Sequence, residues 1–349
     1  MIKRVVLTAV MAMCSLAVFA QDFSLQMLHS SIPTNLRGLC PVDDSVVWVS
    51  GSNGHVGKST NGGASWKWMR PDGLPKADFR DVEAFDEDRA VIMAAGFPAA
   101  ILYTNNGGES WTEVFRSNDS AVFLDAMDFW NEDEGVCIGD WIDGKPYTLY
   151  TNNGGKTWQL MGDTKFKPLT EKTASFAASG TCVRAYEVDK NKGFVQAISS
   201  GTKHGLLVAD FDSKSKLFEY EFKVAPYEAS SPSQGIFSLC INPDTTIWVV
   251  GGDYAQPTLG YFAVMKKNET FFKPESNVSG YRSCVEAFNY DNEPMIIACG
   301  SNGADITTLK QATWKTISQV PLNTAIKTKK GNTVFLTGQQ GTIYKLVAK

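Results

Sequence analysis

The segment Ser59-Thr-Asn-Gly-Gly-Ala-Ser-Trp66 decides the fold of this chain, because it occurs three times in nearly the same form. Its copies are Thr104-Asn-Asn-Gly-Gly-Glu-Ser-Trp111 and Thr151-Asn-Asn-Gly-Gly-Lys-Thr-Trp158. The three tryptophans are 45 and then 47 residues apart. A period of this length is typical of one four-stranded blade of a β-propeller.

A second periodic feature extends the repeat along the whole chain. Short apolar strand starts recur at Leu36, Phe79, Phe123, Ala178, Ile236, Tyr281 and Leu322. Each is followed by a second apolar run, usually ending in glycine, and turn residues separate the runs. No segment of useful length has helical periodicity. The sequence therefore predicts an all-β, seven-bladed propeller, although the sixth repeat can be aligned in two registers one residue apart.

The two ends of the chain are expected to meet in the last blade. Phe23 lies 43 residues before Trp66, in step with the tryptophans that open each outer strand. We therefore expect residues Phe23 to His29 to form the outermost strand of that blade, beside residues Thr342 to Val347. Pairing the ends in this way would remove the exposed edge of an open ring.

The repeated segment is an Asp-box, or BNR repeat, with Asn in place of the usual Asp. Its Asn side chains can bond to backbone N–H groups, its glycines supply positive φ angles, and its tryptophan opens the next strand. In Asp-box propellers this hairpin lies on the outer part of the blade, so we interpret it as scaffold. The residues assigned to this role are Asn61, Gly63, Trp66, Asn106, Gly108, Trp111, Asn153, Gly155 and Trp158.

Residues 1–20 are expected to form a cleaved secretory signal peptide, and residues 21–349 a single propeller domain. Lys3 and Arg4 precede an apolar run from Val5 to Phe19, with small residues before the expected cleavage after Ala20. The run is too short to span a bilayer. We therefore expect an exported protein, periplasmic or secreted, with no membrane span.

Charge restricts the class of partner. The formal net charge is −4 for the full chain and −6 without residues 1–20, and no basic run is present. This balance argues against nucleic acid as a partner. No linker or low-complexity segment interrupts the repeats, and we expect a monomer.

Six cysteines lie beyond the expected cleavage site: Cys40, Cys137, Cys182, Cys240, Cys284 and Cys299. An even number in an exported protein permits disulfides. However, all six lie in apolar runs, where cysteine commonly acts as a small apolar side chain. Both alternatives stay open, with free thiols favoured; if one pair forms, we expect Cys284 with Cys299, on neighbouring strands of one repeat.

Several further segments carry a family resemblance together with the three boxes. They are Phe79-Arg-Asp-Val-Glu-Ala-Phe85, Phe176-Ala-Ala-Ser-Gly-Thr-Cys182, Gly235-Ile-Phe-Ser-Leu239, Gly251-Gly-Asp-Tyr-Ala255 and Gly280-Tyr-Arg-Ser283. The chain resembles, over essentially its whole mature length, the photosystem II stability/assembly factor family of seven-bladed propellers. The resemblance implies an exported, non-catalytic factor that holds a protein client during assembly. A bacterium without photosystems would need another client.

Propellers generally bind their partners at the mouth of the central channel, where first strands and the loops after second strands converge. The residues expected there are Arg37, Arg80, Asp81, Asp125 and Arg282 from first strands, and Ser52, Asp140, Asp253, Tyr254, Ser301 and Gln339 from the ends of second strands. Arginines and carboxylates in this place can bind a peptide or a small anion. Alternatively, they can pair with one another and close the channel. Both interpretations stay open.

A sialidase-like exo-glycosidase is the main enzymatic alternative. Arg37, Arg80 and Arg282, with a tyrosine and an aspartate nearby, offer the residue types that such an enzyme needs. The arginine-isoleucine-proline stretch common in sialidases is absent, however, and the repeat number predicts seven blades rather than six. A carbohydrate-binding propeller without catalysis also stays open.

No cofactor or metal is expected. The chain has three histidines, none at ligand spacing from another. The glycines at Gly51, Gly54 and Gly57 lack the following helix that a dinucleotide site requires. No CxxC or GxSxG motif occurs. The sequence therefore favours a binding protein with a protein or peptide partner.

Overall fold

A computed structural model describes residues 22–162, 169, 172–188, 190–212, 217–266 and 269–349, and the expected signal peptide lies outside these ranges. The described residues form seven antiparallel sheets arranged as the blades of a propeller. The predicted all-β, seven-bladed fold is therefore confirmed. Within the described ranges, no helix is long and apolar enough to cross a bilayer.

The strands follow one another blade by blade. The chain begins with β1 (Phe23–His29), which belongs to the seventh sheet. Sheet 1 contains β2 (Leu36–Pro41), β3 (Val47–Gly51), β4 (Val56–Ser59) and β5 (Lys67–Met69); sheet 2 contains β6 (Phe79–Ala84), β7 (Ala90–Ala94), β8 (Ala99–Thr104) and β9 (Thr112–Ser117). Sheet 3 contains β10 (Leu124–Phe129), β11 (Gly135–Ile142), β12 (Lys145–Thr151) and β13 (Gln159–Leu160).

The remaining sheets repeat this order with longer strands in sheets 4 and 5. Sheet 4 contains β14 (Thr173–Ala174), β15 (Val183–Val188), β16 (Asn191–Ser200), β17 (Lys203–Asp212) and β18 (Leu217–Glu228). Sheet 5 contains β19 (Gln234–Ile241), β20 (Thr246–Asp253), β21 (Gln256–Lys266) and β22 (Phe271–Phe272); sheet 6 contains β23 (Cys284–Tyr290), β24 (Glu293–Gly300), β25 (Gly303–Thr308) and β26 (Lys315–Ser318). Sheet 7 contains β27 (Thr324–Lys327), β28 (Val334–Thr337) and β29 (Ile343–Ala348), with β1 added; a short 3-10 helix, Gln339–Gly341, lies between β28 and β29.

The first strand of each blade lies nearest the central axis, because first strands of neighbouring blades contact one another around the ring. The alternating apolar side chains pack between adjacent sheets rather than in one central core. Val136 and Ile138 of sheet 3, for example, share a buried cluster with Phe194 of sheet 4 and Ile236 of sheet 5. Burying apolar faces between blades is the main stabilising force of such a ring.

The ring is closed by its two ends, as predicted. Strand β1 pairs antiparallel with β29, with Leu25 opposite Leu346, and becomes the outermost strand of sheet 7. The Phe23 ring is buried edge-on against Phe288 and Tyr290 of sheet 6, at centroid distances of 6.4 and 5.0 Å. Strand β1 therefore pairs within sheet 7 and packs against the neighbouring sheet 6.

The three repeated hairpins join the third and fourth strands of sheets 1, 2 and 3, on the outer part of each blade. In the second of them the Thr104 hydroxyl accepts a hydrogen bond from the Gly108 N–H (3.1 Å) and donates one to Asn106 Oδ1 (3.0 Å). Asn106 Oδ1 also accepts from the Ser110 N–H (3.0 Å), and Gly108 has a φ of +78°. Equivalent bonds hold Asn61 and Asn153 in the other two hairpins.

We predict that Asn106→Ala lowers the free energy of unfolding by about 1–2 kcal/mol, because it removes the acceptor on which the turn closes. Urea denaturation followed by tryptophan fluorescence measures the loss. Asn106→Asp is the matched control: it keeps the acceptor oxygen and should remain close to the wild type. An alanine variant as stable as the aspartate variant would contradict this role of the side chain.

The fourth blade departs from the expected pattern. The predicted first strand at Ala178 to Thr181 is not a strand: β14 and β15 both pair with β16, and residues 175–182 run between them. We call residues 175–182 the central loop. All six cysteines beyond residue 21 are buried and free, and Cys284 lies directly opposite Cys299 on β23 and β24.

Candidate functional site

Backbone bulges direct four side chains from the first strands. The registers of β2, β6, β10 and β19 each shift by one residue, and the extra residue is Arg37, Arg80, Asp125 or Phe237 respectively. A bulge leaves its extra residue outside the ladder and redirects its side chain. Equivalent positions of four blades therefore carry two arginines, one aspartate and one phenylalanine.

The central loop fills the middle of the ring. Arg80 Nη1 donates to the Ala177 carbonyl (3.1 Å) and Arg37 Nη1 to the Ala178 carbonyl (3.2 Å). On the other blades, the loop is hydrogen-bonded to Asp140 of sheet 3, Ser238 of sheet 5, Ser283 of sheet 6 and Thr324 of sheet 7. Because these bonds reach all six other blades, the loop lies across the middle of the ring, with cavities on both sides of it.

The cavity at one end, which we call the mouth cavity, has a volume of about 490 Å³. Its floor is formed by the first half of the central loop. Its lining residues are Asn35, Arg37, Arg80, Phe123, Ser175, Phe176, Ala177, Ala178, Phe237, Tyr254, Tyr281, Ser283, Ser301, Leu322, Asn323 and Gln339. A cavity of this size accommodates a short peptide segment or a small ligand.

The charge of the mouth cavity is positive because of Arg37. Arg80 is paired with Asp78, with its Nε 2.8 Å from Asp78 Oδ2. Arg37, in contrast, forms no ion pair with any described residue, and its Nε has no hydrogen-bond partner there. Burial lowers the pKa of Arg37, and the neighbouring charge of Arg80 lowers it further. The charge of Asp78 acts in the opposite direction. Since a guanidinium stays protonated in proteins, a cation without a direct ion-pair partner among the described residues lies at the wall of the cavity.

Aromatic rings form the other wall. The Phe176 ring of the central loop stacks on Phe237 at a centroid distance of 3.9 Å, and Tyr281 meets Phe237 edge-on at 4.8 Å. Tyr254 also approaches Phe237, but 55% of its surface is exposed at the rim. Arg80 lies over the Phe123 ring at 5.4 Å. The mouth cavity therefore combines a cationic wall with an apolar one.

The structure places Arg37, Arg80, Tyr254, Ser301 and Gln339, among the predicted mouth residues, on the cavity lining. The others lie elsewhere. Ser52 accepts a hydrogen bond from the Asn35 N–H (2.9 Å) in a neighbouring turn, and buried Asp253 accepts one from the Ala255 N–H (2.8 Å). Asp140 accepts one from the Ser175 N–H (3.1 Å) and so supports the central loop.

Asp81 and Asp125 are buried instead of facing the mouth cavity. Asp81 accepts hydrogen bonds from the N–H groups of Val82 (2.9 Å) and Met127 (2.8 Å), on the far side of the central loop. Neither oxygen of Asp125 has a partner among the described residues. Burial raises the pKa of Asp125 well above its ordinary value, the charge of Asp140 raises it further, and Arg80 opposes both. The neutral form of this carboxyl is therefore favoured.

Arg282 differs most from its expected place. The N–H of Arg282 donates to the Gly251 carbonyl (3.0 Å), as the N–H of Leu36 does to Gly338, so Arg282 aligns with Leu36 and not with Arg37. Its side chain is 0% exposed and ion-paired with Asp305, Nη2 to Oδ2, at 2.6 Å. The sixth repeat thus adopts the alternative register, and Arg282 is a residue of the blade interior.

The aromatic wall and the floor of the cavity are not predicted by the repeat pattern of the sequence. Phe176, Ala177 and Ala178 were expected in or before a strand, whereas they form the floor. The available indication was the run of small residues from Ala177 to Thr181, which is atypical of a first strand. Phe237 could have been found from its position, since it occupies the place of Arg37 in the fifth repeat.

Two adjoining cavities on the opposite side of the central loop are lined by side chains of both charge signs. Arg184, Glu286 and Lys327 border both of them, and Arg184 Nη2 lies 3.2 Å from Glu286 Oε2. Burial raises the pKa of Glu286, although the charge of Arg184 lowers it. Within the described ranges, no group of three or more His, Cys, Asp or Glu side chains is placed to hold a metal ion.

The fold and this site define a seven-bladed propeller whose closed channel ends in a cationic, aromatic cavity. Among solved structures, the chain is similar to "YCF48 bound to D1 peptide", with 15% identity and a TM-score of 0.60 over 94% of this chain and 97% of that one. It is also similar to YCF48 from Cyanidioschyzon merolae, with 17% identity and a TM-score of 0.63 over 92% and 98% of the two chains. YCF48 is a photosystem II assembly factor, so these neighbours are of the kind that the sequence resemblance predicted. No protein-family model and no curated protein matches the sequence.

Proposed function

We propose that the protein binds a segment of a protein client in the mouth cavity, as an exported factor with no reaction of its own. The observation that carries the proposal is Arg37, a cation on the cavity wall that has no ion-pair partner among the described residues. A charged group that is partly withdrawn from water needs a partner, and a bound carboxylate supplies one.

The shape of the site favours a peptide over a free small anion. A carboxylate next to Arg37 and Arg80 would leave the adjoining part of its ligand against Phe237 and Tyr281. Peptides offer such a combination of an acidic group and apolar side chains. A solved structural neighbour is described as bound to a peptide, which supports peptide binding for this fold. The client of the present chain lies outside the cytoplasm if residues 1–20 act as the expected signal peptide.

Carbohydrate is the second candidate ligand, because the exposed ring of Tyr254 at the cavity rim offers a flat surface on which a sugar can stack. A sialidase-like site has less support. The three arginines considered for it are not gathered, since Arg282 is buried against Asp305 and only Arg37 and Arg80 line the cavity.

We predict that Arg37→Ala weakens peptide binding about 10- to 100-fold, since a hydrogen bond to a charged group contributes about 1.5–3 kcal/mol. The probe is a displayed library of random heptapeptides with free C-terminal carboxylates. Peptides selected by the wild-type protein are then synthesised, and their dissociation constants are measured by fluorescence anisotropy at two salt concentrations.

Arg116→Ala is the matched control, because Arg116 lies on the outer strand β9 and is paired with Glu113. Its affinity should equal that of the wild type. Selection of no peptide, or equal affinities of the Arg37 and Arg116 variants, would contradict the proposed site. Selection of a glycan from a glycan array, lost in Tyr254→Ala and kept in Arg37→Ala, would favour the carbohydrate candidate instead.

A further inference from the structure

A second cavity, which we call the Phe97 cavity, lies beside the mouth cavity on the same end of the ring. It has a volume of about 340 Å³. It is formed by the turn between β7 and β8 and by the connection from β5 to β6. Its apolar walls are Leu74, Pro75, Ala77, Ala94, Phe97 and Pro98. Nothing lies within 4 Å of a Cβ built on Gly96, so the space over this turn is open.

Phe97 is the most exposed large apolar side chain of the described residues, with 69% of its surface accessible. Exposed aromatic rings beside an apolar cavity are typical of interaction sites, because burying such a ring on binding is strongly favourable. The walls around it are held in place. Arg70 Nη2 donates to the Pro75 carbonyl (2.6 Å), and the Ala95 N–H donates to the Asp78 carbonyl (3.2 Å).

One ion pair joins the linings of the two cavities. Asp78 lines the Phe97 cavity, Arg80 lines the mouth cavity, and these two side chains are bonded to each other at 2.8 Å. A peptide with its acidic group beside Arg37 and Arg80 can therefore extend over this pair towards Phe97. An extended segment advances about 3.3 Å per residue, so a short peptide can occupy both cavities.

We propose that the Phe97 cavity is the specificity pocket of the peptide site, and that it takes one large apolar side chain of the same client segment. The inference rests on the proposed function, since it assumes a peptide anchored in the mouth cavity. It names the client class: a segment with an acidic group and, at a fixed spacing from it, one leucine, methionine or aromatic residue. Asp78 and Arg80 lie between the two anchors.

The test applies the same heptapeptide library to the wild type, Phe97→Ala and Phe97→Leu. The wild type should select peptides with an apolar residue at one constant spacing from a carboxylate. Phe97→Ala should keep the preference for the carboxylate, lose the apolar preference and bind the selected peptides about 5- to 30-fold more weakly. Phe97→Leu should fall between the two. Phe272→Ala is the control, because Phe272 is also exposed (52%) but lies on the outer strand β22.

The outcomes separate the two proposals. Carboxylate-dependent peptides without a conserved apolar position, or with affinities that Phe97→Ala leaves unchanged, would overturn the specificity pocket and leave the proposed function standing. Selection that ignores the carboxylate and is unaffected by Arg37→Ala would overturn both. The Phe97 substitutions remove an exposed side chain, so a loss of binding with an unchanged thermal transition reports the pocket and not the fold.

Discussion

Replacing Arg282 by methionine should lower the free energy of unfolding by about 3–5 kcal/mol, because it leaves the Asp305 carboxylate buried without its cation. Both side chains are 0% exposed, so water cannot take the place of the guanidinium. Urea denaturation at neutral pH, followed by tryptophan fluorescence, measures the change. Replacing an exposed arginine of the chain should lower the free energy of unfolding by much less.

The surroundings of the pair explain the size of the effect. Arg282 Nη1 donates to the Tyr281 carbonyl (2.9 Å), and Asp305 Oδ1 accepts hydrogen bonds from Ser279 Oγ (2.8 Å) and Thr316 Oγ1 (2.7 Å). The bonded groups belong to the β22–β23 connection and to strands β25 and β26 of sheet 6. Removing the cation therefore unbalances a network that joins the start of this blade to its outer strands.

The double variant Arg282→Met/Asp305→Leu is the control. It removes both charges, and replacing a buried ion pair by apolar residues of similar volume is often nearly neutral. The double variant should therefore be more stable than Arg282→Met alone. If the two single losses simply add in the double variant, the two side chains act independently and the argument from an unpaired buried charge is wrong.

The same residue shows what the sequence could and could not predict. Spacing located Arg282 at the start of the sixth repeat, and two registers remained for it. Val285-Glu-Ala-Phe288 matches Val82-Glu-Ala-Phe85 one residue out of step with the arginines. The structure selects this second match, because the Arg282 N–H bonds to Gly251 of the preceding blade as the Leu36 N–H bonds to Gly338. Ser283 therefore takes the place of Arg37 on the lining of the mouth cavity. This register depends on hydrogen bonds between neighbouring blades, which the sequence of one strand does not reveal.

The repeat itself was predictable because each blade must supply its own turns and its own apolar faces. Residues such as Gly63 and Asn106 are required by the turns in which they lie. The pairing of the two chain ends is predictable because an open ring would leave strand edges exposed. The conformation of the central loop is not determined by its own residues. It depends on contacts with six other blades, and residues Ala177 to Gly180 are small and compatible with many backbone conformations. The floor of the mouth cavity therefore could not be predicted from the spacing of residues alone.

We expect Gly180→Ala to destabilise the protein strongly. The loss should exceed that of a Gly→Ala change at a position with a similar φ where the added methyl group meets no neighbouring atom. Gly180 has a φ of +71°, and a Cβ built on it would lie 2.4 Å from Asp81 Oδ1. Asp81 cannot easily retreat, because it accepts the N–H groups of Val82 and Met127. The added methyl group must therefore displace the central loop or break those two bonds.

Gly144→Ala separates the steric contact from the backbone strain. Gly144 has nearly the same φ, +74°, but nothing lies within 4 Å of a Cβ built there. Both variants incur the left-handed strain of about 1–2 kcal/mol, and Gly180→Ala should lose about 1–3 kcal/mol more through overpacking. Denaturation of the two variants side by side measures the difference. Equal losses in the free energy of unfolding would mean that the central loop moves aside without an energetic cost and does not stabilise the ring.

The affinity for peptides is the second quantity to measure on Gly180→Ala and Gly144→Ala. The carbonyls of Ala177 and Ala178, three and two residues before Gly180, accept hydrogen bonds from the guanidinium groups of Arg80 and Arg37 respectively. A displaced loop would move both arginines, so Gly180→Ala should weaken the Arg37-dependent peptides about tenfold, whereas Gly144→Ala should not. If Gly180→Ala lowers stability but leaves these peptides bound as before, the loop braces the ring without positioning the arginines. In that case Arg37 and Arg80 are positioned by their own bulged strands alone.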